Sequence, residues 1–210
     1  MRKLPIYILI DTSGSMRGEP IEAVKVGLRA LIASLNRDPH ALESVHISII
    51  TFDREAKVLL PMTELQGLKL PEIEAPQSSP TNLGEALELM CELYDKQVVK
   101  SSANQKGDWM PLGIVMTDGS PSDTMLFEQM CQKLKSYRFA RIIACAAGHK
   151  AKKEPLQKFA TDTVSIETMD SNSFVQFFQW VSQSVAKHSK SSVITGNELP
   201  TPPSEIVINV

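Results

Sequence analysis

The 210-residue sequence has only three cysteines, 6% aromatic residues and no long hydrophobic run. Cys91, Cys131 and Cys145 are odd in number, widely spaced and without a CxxC pair, which indicates reduced core thiols rather than a disulfide framework or a zinc site. No segment approaches the ~18 apolar residues of a membrane span. The apolar run Leu4 to Ile10 superficially resembles a signal peptide, but Asp11 interrupts it and no cleavage pattern follows. We therefore expect a cytoplasmic protein that does not enter a membrane.

The sequence also lacks a large excess of positive or negative charge. The chain has 22 basic and 24 acidic residues, a formal net charge of -2, and no extended basic field. This balance argues against binding to nucleic acid or to anionic lipid. The absence of a GxxxxGK[ST] loop argues against an NTPase.

What the sequence does contain is an alternation of strand-like and helical patterns. This alternation predicts a doubly wound α/β fold, with helices on both faces of a mostly parallel, six-stranded sheet. The run Ala56 to Leu60 follows the second strand after only three residues, which is too short for a helical crossover. It is therefore predicted to pair with that strand as an antiparallel hairpin at the edge of the sheet. The predicted strands are Leu4 to Ile10, Val45 to Phe52, Ala56 to Leu60, Met110 to Thr117, Ala140 to Ala146 and Thr163 to Glu167.

Helix starts are predicted at Pro20, at Thr81-Asn82, at Ser122-Asp123 and after Asp170-Ser171-Asn172, with a shorter helix over Lys153 to Phe159. The proline-rich segment Glu64 to Pro80 is predicted to be a long loop, of a length that is usually functional.

The domain organisation follows from a change of composition near the C-terminus. Residues 1–187 are predicted to form one domain, and from Lys187 onward the chain becomes rich in Ser, Thr, Pro and Gly. Residues 188–210 are predicted to be a tail that docks on a partner or a late strand over Glu205 to Val210.

Oxygen-bearing side chains follow two of the predicted strands. Asp11, Ser13 and Ser15 come directly after the first strand, and Asp118 follows the strand that ends at Thr117. In an open sheet, ligands bind beyond the carboxyl ends of strands where the strand order reverses. If these two strands flank that point, both carboxylates face one crevice, and Thr81 reaches it from the long loop.

These five side chains are hard oxygen donors, which favours Mg²⁺, or Mn²⁺, over zinc or copper. Mg²⁺ requires six ligands, so water must complete its shell, and a carboxylate from a partner protein could replace one water.

Three alternatives stay open. Asp, Ser and Gly are ordinary turn residues, so DTSGS could be a strand-to-helix turn without a ligand. A Mg²⁺-dependent phosphoryl-transfer enzyme would also place aspartates here, although Ser13 stands where a phosphatase of the haloacid dehalogenase type needs a second acid. The third alternative is a switch controlled by phosphorylation at Gln77-Ser78-Ser79 or in the tail.

The combination of DTSGS, an intervening loop threonine and TDG resembles the von Willebrand factor A domain and its metal-ion-dependent adhesion site, whose pattern is DxSxS, then T, then D. The resemblance implies that Asp11, Ser13, Ser15, Thr81 and Asp118 hold the metal. It also implies that the domain binds proteins through the metal and does not turn over a substrate.

Longer stretches resemble the stand-alone bacterial TerY-like branch, which is associated with tellurium resistance: DTSGSMRGEPIEAVKVGL, ITFDREAKVLLPMTEL and KGDWMPLGIVMTDGSPSD. This second resemblance implies a scaffold in a stress-response system, with a protein kinase and a phosphatase as partners.

Overall fold

The computed structural model describes residues 2–102, 104–149, 151–190, 203 and 206–209, and within them one sheet forms the centre of the molecule. The strands in chain order are β1 (Leu4–Asp11), β2 (Val45–Phe52), β3 (Ala56–Glu64), β4 (Leu112–Thr117), β5 (Arg141–Ala147), β6 (Asp162–Ile166) and β7 (Ile206–Asn209). The two central strands, β1 and β4, are buried along their whole length, which explains why their sequences are almost continuously apolar.

The strand order is β3-β2-β1-β4-β5-β6-β7. Strand β1 pairs in parallel with both β2 and β4, so the chain leaves β1 to one side and later returns to its other side. The point at which the strand order reverses therefore lies between β1 and β4. This is the arrangement on which the predicted ligand crevice depends.

Helices cover both faces of the sheet. They are α1 (Glu19–Leu35), α2 (Pro39–Ser44), α3 (Leu83–Gln97), α4 (Thr124–Leu134), α5 (Glu154–Gln157) and α6 (Ser171–Lys190). Side chains of α1 and α6 share one core cluster, and side chains of α3 and α4 share a second cluster across the sheet. None of the described helices is long and apolar enough to cross a membrane.

The doubly wound fold with a mostly parallel sheet is confirmed, and the six predicted strands are present, β2 with the predicted ends and the other five with shifted ends. Strand β4 begins at Leu112 rather than Met110, and β3 continues to Glu64 rather than ending at Leu60. The described residues add a seventh strand, because β7 pairs antiparallel with β6 and covers backbone groups that an edge strand leaves free. Both edges of the sheet are therefore antiparallel.

Residues 188–210, the predicted tail, are described only in part. Helix α6 continues to Lys190, past the predicted boundary at residue 187, and β7 forms within the predicted late strand. Residues 191–202, 204, 205 and 210 lie outside the described residues. The division at residue 187 stays a prediction.

The long loop between β3 and α3 is anchored to α1. Lys25, which is only 5% exposed, donates to Glu22 of its own helix at 2.6 Å and also to Glu72 of the loop. Ile73, the next loop residue, is buried in the core cluster of α1. The loop therefore delivers Thr81 to the start of α3 from a fixed position.

Candidate metal site

Asp11 is the last residue of β1, and its carboxylate is completely buried. Its Oδ1 accepts a hydrogen bond from the backbone N–H of Ser13 at 2.8 Å, and its Oδ2 accepts one from the hydroxyl of Thr117 at 2.5 Å. Thr117 is the last residue of β4. The pairing of β1 with β4 thus joins the first part of the predicted site to the strand that precedes Asp118.

Ser13, Ser15 and Asp118 form a chain of polar contacts beside Asp11. The hydroxyls of Ser13 and Ser15 are 3.3 Å apart, and the Ser15 hydroxyl donates to Oδ1 of Asp118 at 2.9 Å. Residues Gly14–Met16 form a single 3-10 turn, which brings the two serines to the same side. Four of the five predicted residues are therefore linked directly.

Thr81 approaches from the long loop and meets the segment that follows β4. A Cβ atom placed on Gly119 would lie 3.0 Å from the Thr81 hydroxyl oxygen, so the absence of a side chain there allows this approach. The backbone N–H of Ser122 donates to the Thr81 carbonyl at 2.8 Å, and the Thr81 N–H donates to the Ser122 hydroxyl at 3.0 Å. All five predicted residues therefore lie at one edge of the sheet, which we call the metal edge.

The electrostatics of the metal edge favour a cation. Burial raises the pKa of Asp11 to about 6; its hydrogen bonds from Thr117 and Ser13 oppose that rise, and the nearby charge of Asp118 adds to it. Burial also raises the pKa of Asp118. Neither carboxylate forms an ion pair with a basic side chain in the described part of the chain. Two acids without a counter-charge, surrounded by hydroxyls, suit a hard divalent cation.

The site differs from sites built on several acids or imidazoles. Among the described residues, no group of three or more His, Cys, Asp or Glu side chains could hold a metal ion. The candidate site instead combines three hydroxyls with two carboxylates, an oxygen-only donor set that suits Mg²⁺ or Mn²⁺. The three cysteines lie elsewhere, buried and free.

Sequence reasoning missed several residues that position the donors. Thr117 orients Asp11, and the hydroxyl of Thr12 donates to the carbonyl of Phe52 at 3.2 Å and to the Asp53 carboxylate at 3.3 Å. Asp53 in turn accepts the N–H of Arg54. Thr12 and Asp53 are polar residues that directly follow the neighbouring strands β1 and β2. Because parallel strands end at the same edge of a sheet, their positions in the sequence could have placed them at the site.

Comparison with known proteins settles the family. The model of the von Willebrand factor type A domain matches residues 6–180. The chain belongs to this family. No curated protein sequence matches the chain significantly.

Solved structures of other proteins share the fold. Proximal thread matrix protein 1 of the mussel byssus, in a structure with a zinc-occupied MIDAS motif, has a TM-score of 0.63 and 16% identity over 88% of this chain. A type A domain protein from Catenulispora acidiphila has a TM-score of 0.62 and 17% identity over 90% of this chain. This chain spans only 48% and 43% of those two chains, respectively. BatB of Bacteroides thetaiotaomicron is covered completely, with a TM-score of 0.56 and 17% identity over 90% of this chain.

Proposed function

We propose that this type A domain is a protein-interaction module that binds partners through a divalent cation held by Asp11, Ser13, Ser15, Thr81 and Asp118. The proposal rests on the convergence of these five oxygen donors at one edge of the sheet. The two carboxylates among them have no basic partner among the described residues. Domains of this family are commonly metal-dependent interaction modules, and the zinc-occupied motif of the mussel protein supports a divalent cation at such a site.

The proposed cation is Mg²⁺, with Mn²⁺ as the other candidate. Hydroxyls and carboxylates are hard ligands, and Mg²⁺ keeps several water molecules in its octahedral shell. With three neutral hydroxyls among the donors, the bound ion keeps enough positive charge to attract an exogenous acid. The proposed partner therefore presents an Asp or Glu carboxylate, which replaces one of the waters.

The biological setting is proposed from the TerY-like resemblance of the sequence. In that setting the domain is a cytoplasmic scaffold in a tellurium-resistance or stress-response system, with a protein kinase and a phosphatase as partners. The segments Gly107-Asp108-Trp109 (GDW) and Ser120-Pro121-Ser122-Asp123 (SPSD) support this proposal, because they are more specific to that branch than the metal-site pattern.

The first experiment measures the metal site directly. Calorimetric titration of the wild type with Mg²⁺ and with Mn²⁺ is expected to show one site, which the Asp11→Ala variant loses. Glu55→Gln is a matched control, because Glu55 is an exposed residue near the end of β2 whose carboxylate pairs, among the described residues, with Lys57. Unchanged metal affinity in Asp11→Ala would refute the site assignment.

The second experiment tests whether partner binding needs the metal. Affinity capture from the native cell is carried out with the wild type in Mg²⁺, with the wild type in chelator, and with Asp11→Ala. We expect a partner only in the first capture, and we expect replacement of one of its acidic residues to abolish binding. Capture that chelator does not affect would contradict the proposal, and a divalent-dependent phosphatase rate lost in Asp11→Ala would favour the enzyme alternative instead.

A further inference from the structure

A concave site lies at the end of the sheet opposite the metal edge. It is a cleft of about 600 Å³, bounded by the C-terminal ends of α3 and α4 and by the residues that lead into β4. This volume is within the range of ligand-binding clefts. We call it the basal cleft; the lining residues that matter here are Tyr94, Val99, Trp109, Met110, Lys133 and Arg138.

The segment Gly107-Asp108-Trp109 builds one wall of the basal cleft. A Cβ atom on Gly107 would lie 2.4 Å from the carbonyl oxygen of Val99, so only glycine fits this approach. The Asp108 carboxylate accepts the N–H groups of Val99 at 2.9 Å and Lys3 at 3.2 Å. Arg2 stacks 4.0 Å from the centre of the Trp109 ring. The wall is therefore held in place by specific contacts, none of which serves the metal edge.

The uncommitted charge of the basal cleft is positive. Its two carboxylates are engaged: Asp108 by the backbone amides, and Asp95 by the Tyr137 hydroxyl at 2.6 Å and by Lys100 at 3.9 Å. Lys133 and Arg138 are exposed and form no ion pair with any described residue. A chain with a net charge of -2 thus presents, beside an apolar floor, two cations that no described acidic side chain pairs with.

The basal cleft also has apolar surface to cover. Tyr94 and Pro111 are buried at its base, and Val99 at its rim is 44% exposed. The helix ends that face the cleft are C-terminal ends, whose carbonyl dipoles disfavour any anion placed directly against them, and a compact, doubly charged phosphate most of all. Single carboxylates on either side of an apolar group match this surface better than a phosphate does.

We propose that the basal cleft binds an acidic peptide segment of a partner protein. An apolar side chain of the segment packs against the floor and Val99, and its carboxylates pair with Lys133 and Arg138. This binding needs no metal, so it is independent of the function proposed for the metal edge.

The test uses the peptide EELEE, acetylated and amidated at its ends, with QQLQQ as the uncharged control. Titrations are carried out in chelator, which keeps cations from the metal edge, and are followed by tryptophan fluorescence and calorimetry. The only other tryptophan, Trp180, is 1% exposed, so a fluorescence change reports on Trp109. We expect saturable binding of EELEE that weakens with added salt, and much weaker binding of QQLQQ.

Charge-reversal variants of Lys133 and Arg138 test whether the peptide binds in the basal cleft. The double variant Lys133→Glu/Arg138→Glu is expected to weaken EELEE binding by about tenfold or more, and Lys133→Gln/Arg138→Gln by less. Lys135→Glu is the matched control, since Lys135 is near the same helix end, does not line the cleft and contacts Gln132. Equal binding of EELEE and QQLQQ, no saturable change, or unaltered affinity in folded double variants would overturn the proposal. Displacement of EELEE by an equal concentration of inorganic phosphate would overturn it in favour of a phosphate site.

Discussion

At the scale of single residues, the hydroxyl of Thr117 connects the two halves of the candidate metal site. It donates to Asp11 and accepts the N–H of Gly119 at 3.1 Å, so one side chain fixes both the end of β1 and the turn that carries Asp118. A buried carboxylate without such donors would be costly, since an unpaired buried polar group loses its hydration without replacement. The site is therefore ordered by residues that need not contact the metal.

Asp170 provides a residue-scale prediction about pH. Its carboxylate accepts the N–H of Ser173 at 2.9 Å and the Ser173 hydroxyl at 3.1 Å, at the start of α6. The side-chain hydrogen bond from Thr168, with the backbone N–H of Ser173, lowers the pKa of Asp170. Asp170→Ala is therefore expected to lower the free energy of unfolding by about 1 kcal/mol at neutral pH.

The sign of the pH effect follows from the lowered pKa. The stabilisation is present above the unfolded-state pKa of about 3.9 and is lost as pH falls through the lower pKa of the folded state. Urea unfolding at pH 7 and in steps below pH 4 should show the difference between wild type and Asp170→Ala shrinking with acid. Glu167→Gln, a change at an exposed neighbour, is the control. A difference that is constant with pH would show that the charge of Asp170 does not contribute.

At the scale of elements, the starts of α3 and α4 are locked together. Asp123 directly precedes α4, but its carboxylate accepts the N–H groups of Gly84 at 3.1 Å and Glu85 at 2.9 Å, in the first turn of α3. Together with the two hydrogen bonds between Ser122 and Thr81, this contact couples the Asp118 turn to the Thr81 loop. The SPSD segment is thus a clamp between two elements of the candidate site.

This clamp predicts a metal affinity that depends on residues outside the donor set. The variant Ser122→Ala/Asp123→Ala is expected to weaken Mg²⁺ binding by about threefold to tenfold, because Thr81 is held less firmly, and to lower stability by about 1–2 kcal/mol. Calorimetry and thermal unfolding measure both effects. Ser120→Ala, in the same exposed segment, should change neither. Lost stability with unchanged metal affinity would show that the clamp does not position Thr81.

The elements also show how far the sequence predicts this molecule. The order of strands and helices was predictable, since burial on both faces makes β1, β4 and β5 almost continuously apolar. Helix α2 was missed, although Asp38 and Pro39 mark its start and Asp38 accepts the N–H of His40 at 3.0 Å. Ser122 and Asp123 correctly predicted a helix start, but a sequence does not reveal that a capping carboxylate serves a neighbouring helix. The basal cleft depends on two helix ends far apart in the chain, so no local pattern predicted it.

At the scale of the whole molecule, the sheet separates two surfaces of opposite character. The metal edge holds two acids at the carboxyl ends of β1 and β4, while the basal cleft presents Lys133 and Arg138, unpaired within the described part of the chain, beyond the amino end of β4. The eight residues of β1 span roughly 25 Å between these ends. Two such separate surfaces would allow the proposed scaffold to bind a partner at one of them and leave the other open.

A bound divalent cation should stabilise the whole fold, because it binds the native state and relieves the repulsion between Asp11 and Asp118. At a Mg²⁺ concentration about 100 times the dissociation constant the gain is about 2.7 kcal/mol, which for a chain of this size raises Tm by about 5–10 °C. Asp11→Asn removes one buried charge, so its metal-free Tm should equal or exceed that of the wild type, and Mg²⁺ should no longer raise it. Glu43→Gln, an exposed change at the opposite end of the molecule, should keep the full shift. Scanning calorimetry with and without Mg²⁺ measures the Tm of the wild type and of both variants. If Mg²⁺ raises the Tm of Asp11→Asn as much as that of the wild type, the stabilising cation binds somewhere other than the metal edge.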